Sequence, residues 1–194
     1  MALQLSVLAR FGWAITLAVP ISAQAVVVQF TAELDGASEI PSPVSTAGQG
    51  LAILSYDTLT DLFDFSLAAG GLSGPATAAH LHALASPFET APPVVNLLSG
   101  FDVASDGTSL LVGGFDVPSP GIIESTNGHG TMSFRQALGE GHVYVNVHTA
   151  LYPGGEIRGH FRFARALPIP EPSTWAMMFV GLAAVGGLAA RRRA

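Results

Sequence analysis

Polar and apolar residues alternate along the middle of the chain. Val26, Val28, Phe30, Ala32 and Leu34 share one parity, with Gln29, Thr31 and Glu33 on the other. An extended backbone turns successive side chains to opposite faces, so this stretch predicts a half-buried strand. Leu51 to Tyr56 predicts a second strand. Phe63, Phe65 and Leu67, alternating with Leu62, Asp64 and Ser66, predict a third. The polar connection Asp57–Asp61 makes the pair a hairpin. Gly70-Gly71 and Gly74-Pro75 close that unit, and Ala78–Leu84 follows as a strand. Beyond a Pro-rich loop, Val94–Leu98 and Ser109–Phe115 are shorter candidates, and Met132–Leu138 predicts one or two helical turns ending at Gly139. The strongest alternation sets Val143, Val145 and Val147 against Tyr144, Asn146 and His148. After a turn at Tyr152–Gly155, Glu156–Ala164 returns as the last strand. Seven to nine short strands without strand–helix alternation predict one all-β domain over residues 26–166, an antiparallel sandwich or barrel.

Composition shifts attention to the two ends. The 194 residues are 49% hydrophobic and only 11% charged, against about 25% charged in an average soluble domain. Residues 1–25 carry Arg10, an uncharged run from Phe11 to Ile21, and Ala23-Gln24-Ala25, which together read as a secretory signal peptide cut after Ala25. Residues 167–174 form a Pro-rich linker with Pro170-Glu171-Pro172. Residues 175–194 read as a transmembrane helix closed by a basic stop, Arg191, Arg192 and Arg193. Trp175 to Ala190 would rise only about 24 Å as a helix, short of a bilayer core of roughly 30 Å, which suits a transient anchor. The terminal arginines place the domain on the far side of the inner membrane from the cytoplasm.

Charge and cysteine exclude some chemistry. Residues 26–166 hold thirteen acidic residues and four arginines, and the chain has no lysine. Phosphate recognition needs a basic face, so nucleic acid is excluded as a partner. With no cysteine, there is no disulfide, thiolate metal site or cysteine nucleophile. No Gly-x-Ser-x-Gly elbow or phosphate loop is present, no nucleophile–base pair can be assembled, and the reading is non-enzymatic. Asp57, Asp61 and Asp64 cluster at a hairpin turn without EF-hand spacing.

Six histidines remain, at 80, 82, 129, 142, 148 and 160. His80 and His82 share a strand face, His148 shares one with Asn146 and Tyr144, and Glu156, Arg158 and His160 share a third. If the strands are neighbours, His80, His82 and His148 converge. Neutral imidazoles on a rigid strand suit copper or zinc. Asn146, Glu156 and Arg158 would then orient the rings from behind. The alternative is a structural hydrogen-bond network of Asn146, His148, Glu156 and Arg158 without metal. His129, in the loop Asn127-Gly128-His129-Gly130, and His142, beside a turn, receive no role.

Two resemblances add to this. The order Pro170-Glu171-Pro172-Ser173-Thr174-Trp175, apolar run and arginines resembles a PEP-CTERM sorting signal. That implies processing by an exosortase, transient residence in the inner membrane, and delivery to the cell surface or beyond. Gly74-Pro75-Ala76-Thr77-Ala78-Ala79-His80-Leu81-His82, Tyr144–Thr149 with Pro153–Gly159, and Thr31–Pro41 resemble, in order, the motifs of the CHRD family, named from chordin. That implies an antiparallel β domain of extracellular proteins with no generally assigned enzymatic activity. A binding, matrix or adhesion role follows as the expectation, with exopolysaccharide or surface proteins as partners. The His-x-His strand is also similar to that of copper/zinc superoxide dismutase, but the cysteines and the second metal-binding loop are missing.

Overall fold

The computed structural model describes residues 26–168. The expected signal peptide, the sorting motif, the C-terminal helix and its basic stop lie outside the described residues. In chain order the elements are β1 (Val26–Asp35), β2 (Gln49–Asp57), β3 (Leu62–Gly70), β4 (Ala76–Ala83), β5 (Pro93–Asn96), β6 (Asp102–Ser105) and β7 (Leu110–Pro118). Next come β8 (Ile122–Glu124), β9 (Thr131–Ser133), α1 (Phe134–Gly139), β10 (Val143–Thr149), β11 (Ile157–His160) and β12 (Arg162–Pro168). Among the described residues no helix is long and apolar enough to cross a membrane.

The domain is all-β, as expected. Its main sheet runs β5-β4-β10-β11-β1-β2-β3-β7-β6, with β12 also paired to β1, and β8 and β9 form a separate hairpin. Alternation drives the burial. In β3, Phe63, Phe65, Leu67 and Ala69 are buried while Asp64, Ser66 and Ala68 are exposed. Leu81 of β4 and Phe65 of β3 lie five strands apart in the sheet yet belong to one apolar cluster. The sheet therefore curls round its own inner face, which lets about 140 residues enclose a core without a second layer of helices.

Three strands exceed the expectation. β6, β8 and β9 are three or four residues long, too short for alternation to register. The single last strand expected over 156–164 is divided. Asp35 pairs with Arg158 and Thr31 with Arg162 in one continuous register along β1. The path breaks at Phe161, whose N–H donates to Val143 O (2.9 Å) while its side chain is buried in the core. β11 thereby bridges β10 and β1, and β12 continues along β1 alone. Gly159 permits this crossing, because a side chain there would strike the carbonyl oxygen of Glu33. The expected helical turns appear as α1. Ser133 Oγ caps it by accepting from Gln136 N (3.1 Å), and Phe134 packs on Phe63 and Tyr56.

Candidate metal centre

β4 and β10 are antiparallel neighbours, in a register that pairs His80 with Asn146 and His82 with Tyr144. Parity then puts His80, His82, Tyr144, Asn146 and His148 on one face, opposite the core residues Leu81, Val145 and Val147. Each of His80, His82 and His148 offers a ligand atom within 4.8 Å of the other two. The three histidines named from the sequence are thus brought together.

Loops partly cover this face, leaving His80 and His148 half-buried and His82 buried. His82 is 8% exposed. Its Nδ1 donates to Ala91 O (2.8 Å), and His148 Nδ1 donates to Pro153 O (3.1 Å). A neutral imidazole with Nδ1 protonated carries its lone pair on Nε2. Nε2 of both His82 and His148 is buried without a protein partner. Burial keeps both rings neutral: it holds His82 at about 4 and also lowers His80 and His148. His80 makes no side-chain hydrogen bond among the described residues. Two fixed lone pairs and one adjustable ring are a donor set for a borderline metal ion.

Tyr144 is the support that the histidine count did not single out. Its ring stacks on His82 at 4.6 Å with a 4° interplanar angle. Arg158 Cζ lies 3.7 Å from the Tyr144 ring centroid. The Tyr144 hydroxyl accepts from Ala91 N (3.2 Å) and donates to Ala91 O (3.3 Å), the same carbonyl that orients His82. Parity in the sequence already placed Tyr144 on the histidine face; the stack needed the β4–β10 pairing.

Asn146, Arg158 and Glu156 part company. Asn146 Nδ2 donates to Glu39 Oε2 (3.4 Å). Arg158 Nη2 donates to Glu89 O (2.5 Å) and to His160 Nε2 (2.9 Å). Glu156 belongs to a separate knot, accepting from Ser73 N (2.8 Å) and from the hydroxyls of Ser73, Thr149 and Thr46, each at 2.6 Å. Burial works to raise its pKa, and these hydrogen bonds overcome it and hold the carboxylate below its ordinary range. None of the three residues hydrogen-bonds the histidine triad.

The segment 84–91 straps the same face, and a loop given no role in the sequence holds the strap. Asn127 Nδ2 donates to Leu84 O (3.1 Å) and Thr90 O (2.6 Å). His129 Nε2 contacts Glu89 Oε2 at 2.8 Å and its ring lies 4.5 Å from that of His142. Glu39 was likewise absent from the expected set. No local pattern marks it, since it reaches Asn146 across 107 residues.

The comparisons agree with this architecture. The CHRD domain model matches residues 30–161, and the PEP-CTERM protein-sorting motif matches residues 168–193. No curated protein and no solved structure matches the chain. The second match covers Pro170-Glu171-Pro172 and the terminal arginines and implies export with exosortase processing. The first covers more than half of the 194 residues, including every member of the histidine face, and so the chain belongs to the CHRD domain family.

Proposed function

We propose that this chain is an exported, exosortase-processed β domain whose working part is a copper or zinc site made by His80, His82 and His148. The carrying observation is the pair of buried Nε2 atoms without protein partners, on rings whose Nδ1 atoms are tied to backbone carbonyls. A structural network would have used those lone pairs; a metal ligand needs them free. Zinc–nitrogen bonds of about 2.0–2.1 Å call for a modest closing of the triad. His80, half-buried and unbonded, supplies the movement. The domain carries the site to the cell surface or beyond, where a matrix or adhesion partner would meet it.

Elemental analysis with copper and zinc titration of the purified exported chain tests the reading. The expected result is about one metal per chain, lost on combining His80→Ala and His82→Ala. No metal above background, or unchanged stoichiometry in that double variant, overturns it and leaves the face as a structural network in a non-enzymatic adhesion or matrix protein.

A further inference from the structure

Three imidazoles leave a zinc or copper(II) ion at least one coordination position short. Among the described residues no further histidine or carboxylate joins the triad. The residue best placed to act on that position is not a ligand. Asn146 is the cross-strand partner of His80, and it precedes His148 by two residues on the same face of β10. It therefore neighbours two of the three ligands on this face of the sheet. Asn146 is 5% exposed. Because Nδ2 donates to Glu39, Oδ1 faces the other way, where it is buried without a partner.

A buried amide oxygen lacking a donor is costly and rare. Here the missing donor and the missing metal ligand fall on one patch of the sheet. One small molecule with a lone pair and a hydrogen supplies both. Resting on the metal reading above, we infer that the triad and Asn146 together hold a small exogenous protic ligand, water or hydroxide at rest, bound to the metal and donating its hydrogen to Asn146 Oδ1. The site then exchanges small anions and is not a closed storage shell. Exchange swaps one neutral or anionic ligand for another, with no change in oxidation state and no covalent bond made to the protein.

The test loads the full exported chain with cobalt(II), whose visible spectrum reports coordination, and titrates azide. Azide has no hydrogen for Asn146, so it must displace a hydrogen-bonded ligand. The spectrum of the wild-type protein is expected to shift saturably with azide. In Asn146→Ala the displaced ligand has lost its acceptor, and azide is expected to bind roughly fivefold more tightly at equal cobalt stoichiometry. In Asn146→Asp the carboxylate accepts more strongly and repels the anion, so azide is expected to bind more weakly. A residue that merely shapes the fold would not move the affinity in opposite directions. A loaded protein whose spectrum ignores saturating azide overturns the inference, and so does an azide affinity unchanged in both variants. Should Asn146→Ala fail to fold, the wild-type titration decides whether a ligand exchanges and Asn146→Asp decides whether residue 146 faces it. Failure to take up cobalt at all is a different result, which sinks the metal reading and this inference with it.

Discussion

Glu39, 3% exposed, titrates far from an ordinary carboxyl group. Burial pushes its pKa up to about 7, against the Arg158 charge and the Asn146 hydrogen bond, which pull it down. From about 4.5 to about 7 the folded chain keeps this proton while the unfolded chain has lost it, so its contribution to stability falls as pH rises through that window. His82 and His160 act in the opposite sense. Burial holds both at about 4, below the ordinary 6.5, so the unfolded chain takes up protons first and stability is lost as pH falls from 6.5 towards 4. His80 and His148, also lowered by burial, act in the same sense as His82 and His160. The imidazoles outnumber the carboxyl group, so stability is expected to rise with pH from about 4.5 and to level off near neutrality, with Glu39 only blunting the rise. Glu39→Gln should steepen that rise. Urea unfolding of both proteins between pH 4 and 8 checks this; an identical pH dependence in the variant contradicts it. The same carboxyl group explains Gly155. Its φ is +135°, and a Cβ there would lie 2.6 Å from both Glu39 Oε2 and Asn146 Nδ2. Nothing in the Pro153-Gly154-Gly155 turn announces that neighbour, because Glu39 is more than a hundred residues away.

Among the elements, β4 and β10 were the legible ones. Their alternation assigned His80, His82 and His148 to a face, and strand geometry is stiff enough for parity to hold over seven or eight residues. The strap over 84–91 was not legible, because irregular backbone carries no period. It is held by isolated hydrogen bonds that Asn127, Tyr144 and Arg158 donate to backbone carbonyls. Asn127→Ala leaves the carbonyls of Leu84 and Thr90 without this donor, an expected loss of about 1–3 kcal/mol. Amide exchange over 84–91 should accelerate. Zinc affinity should also fall about tenfold, as when a group that orients a ligand is removed, because Ala91 no longer holds the His82 ring. Exchange mass spectrometry with zinc titration reads both effects. Unchanged exchange across the strap would show that Tyr144 and Arg158 suffice to hold it.

The chain as a unit is built for delivery. β12 pairs Pro168 with Val26, so the expected mature N-terminus and the start of the sorting tail lie side by side at one end of the β1–β12 pair. The first two residues of the expected linker, Leu167 and Pro168, are thus part of a strand. Removal of residues 169–194 spares β12 and is expected to yield a folded domain free in the periplasm. The intact precursor is expected in the membrane fraction until processed. Fractionation of the two forms decides this, and a membrane-bound truncated form would contradict the anchor over 175–194. Mass spectrometry of the mature protein is expected to find Val26 at its N-terminus; an intact Met1 would refute the signal peptide.

Local chemistry written in the order of residues was enough for the class of fold, the sorting motif at the C-terminal end and the three candidate ligands. Alternation has a fixed period, a sorting signal is a linear motif, and His80-Leu81-His82 needs only one strand to share a face. Pairing of distant segments decided the rest. The register of β4 against β10 brought His148 to the triad, the crossing of β11 from β10 to β1 closed the curl, and the covering loops took part of a polar face out of water. Burial in turn set the neutral state of the rings and left the Nε2 atoms and Asn146 Oδ1 without partners. Desolvation depends on what covers a group, and the groups that cover this face come from segments that no window of sequence contains together.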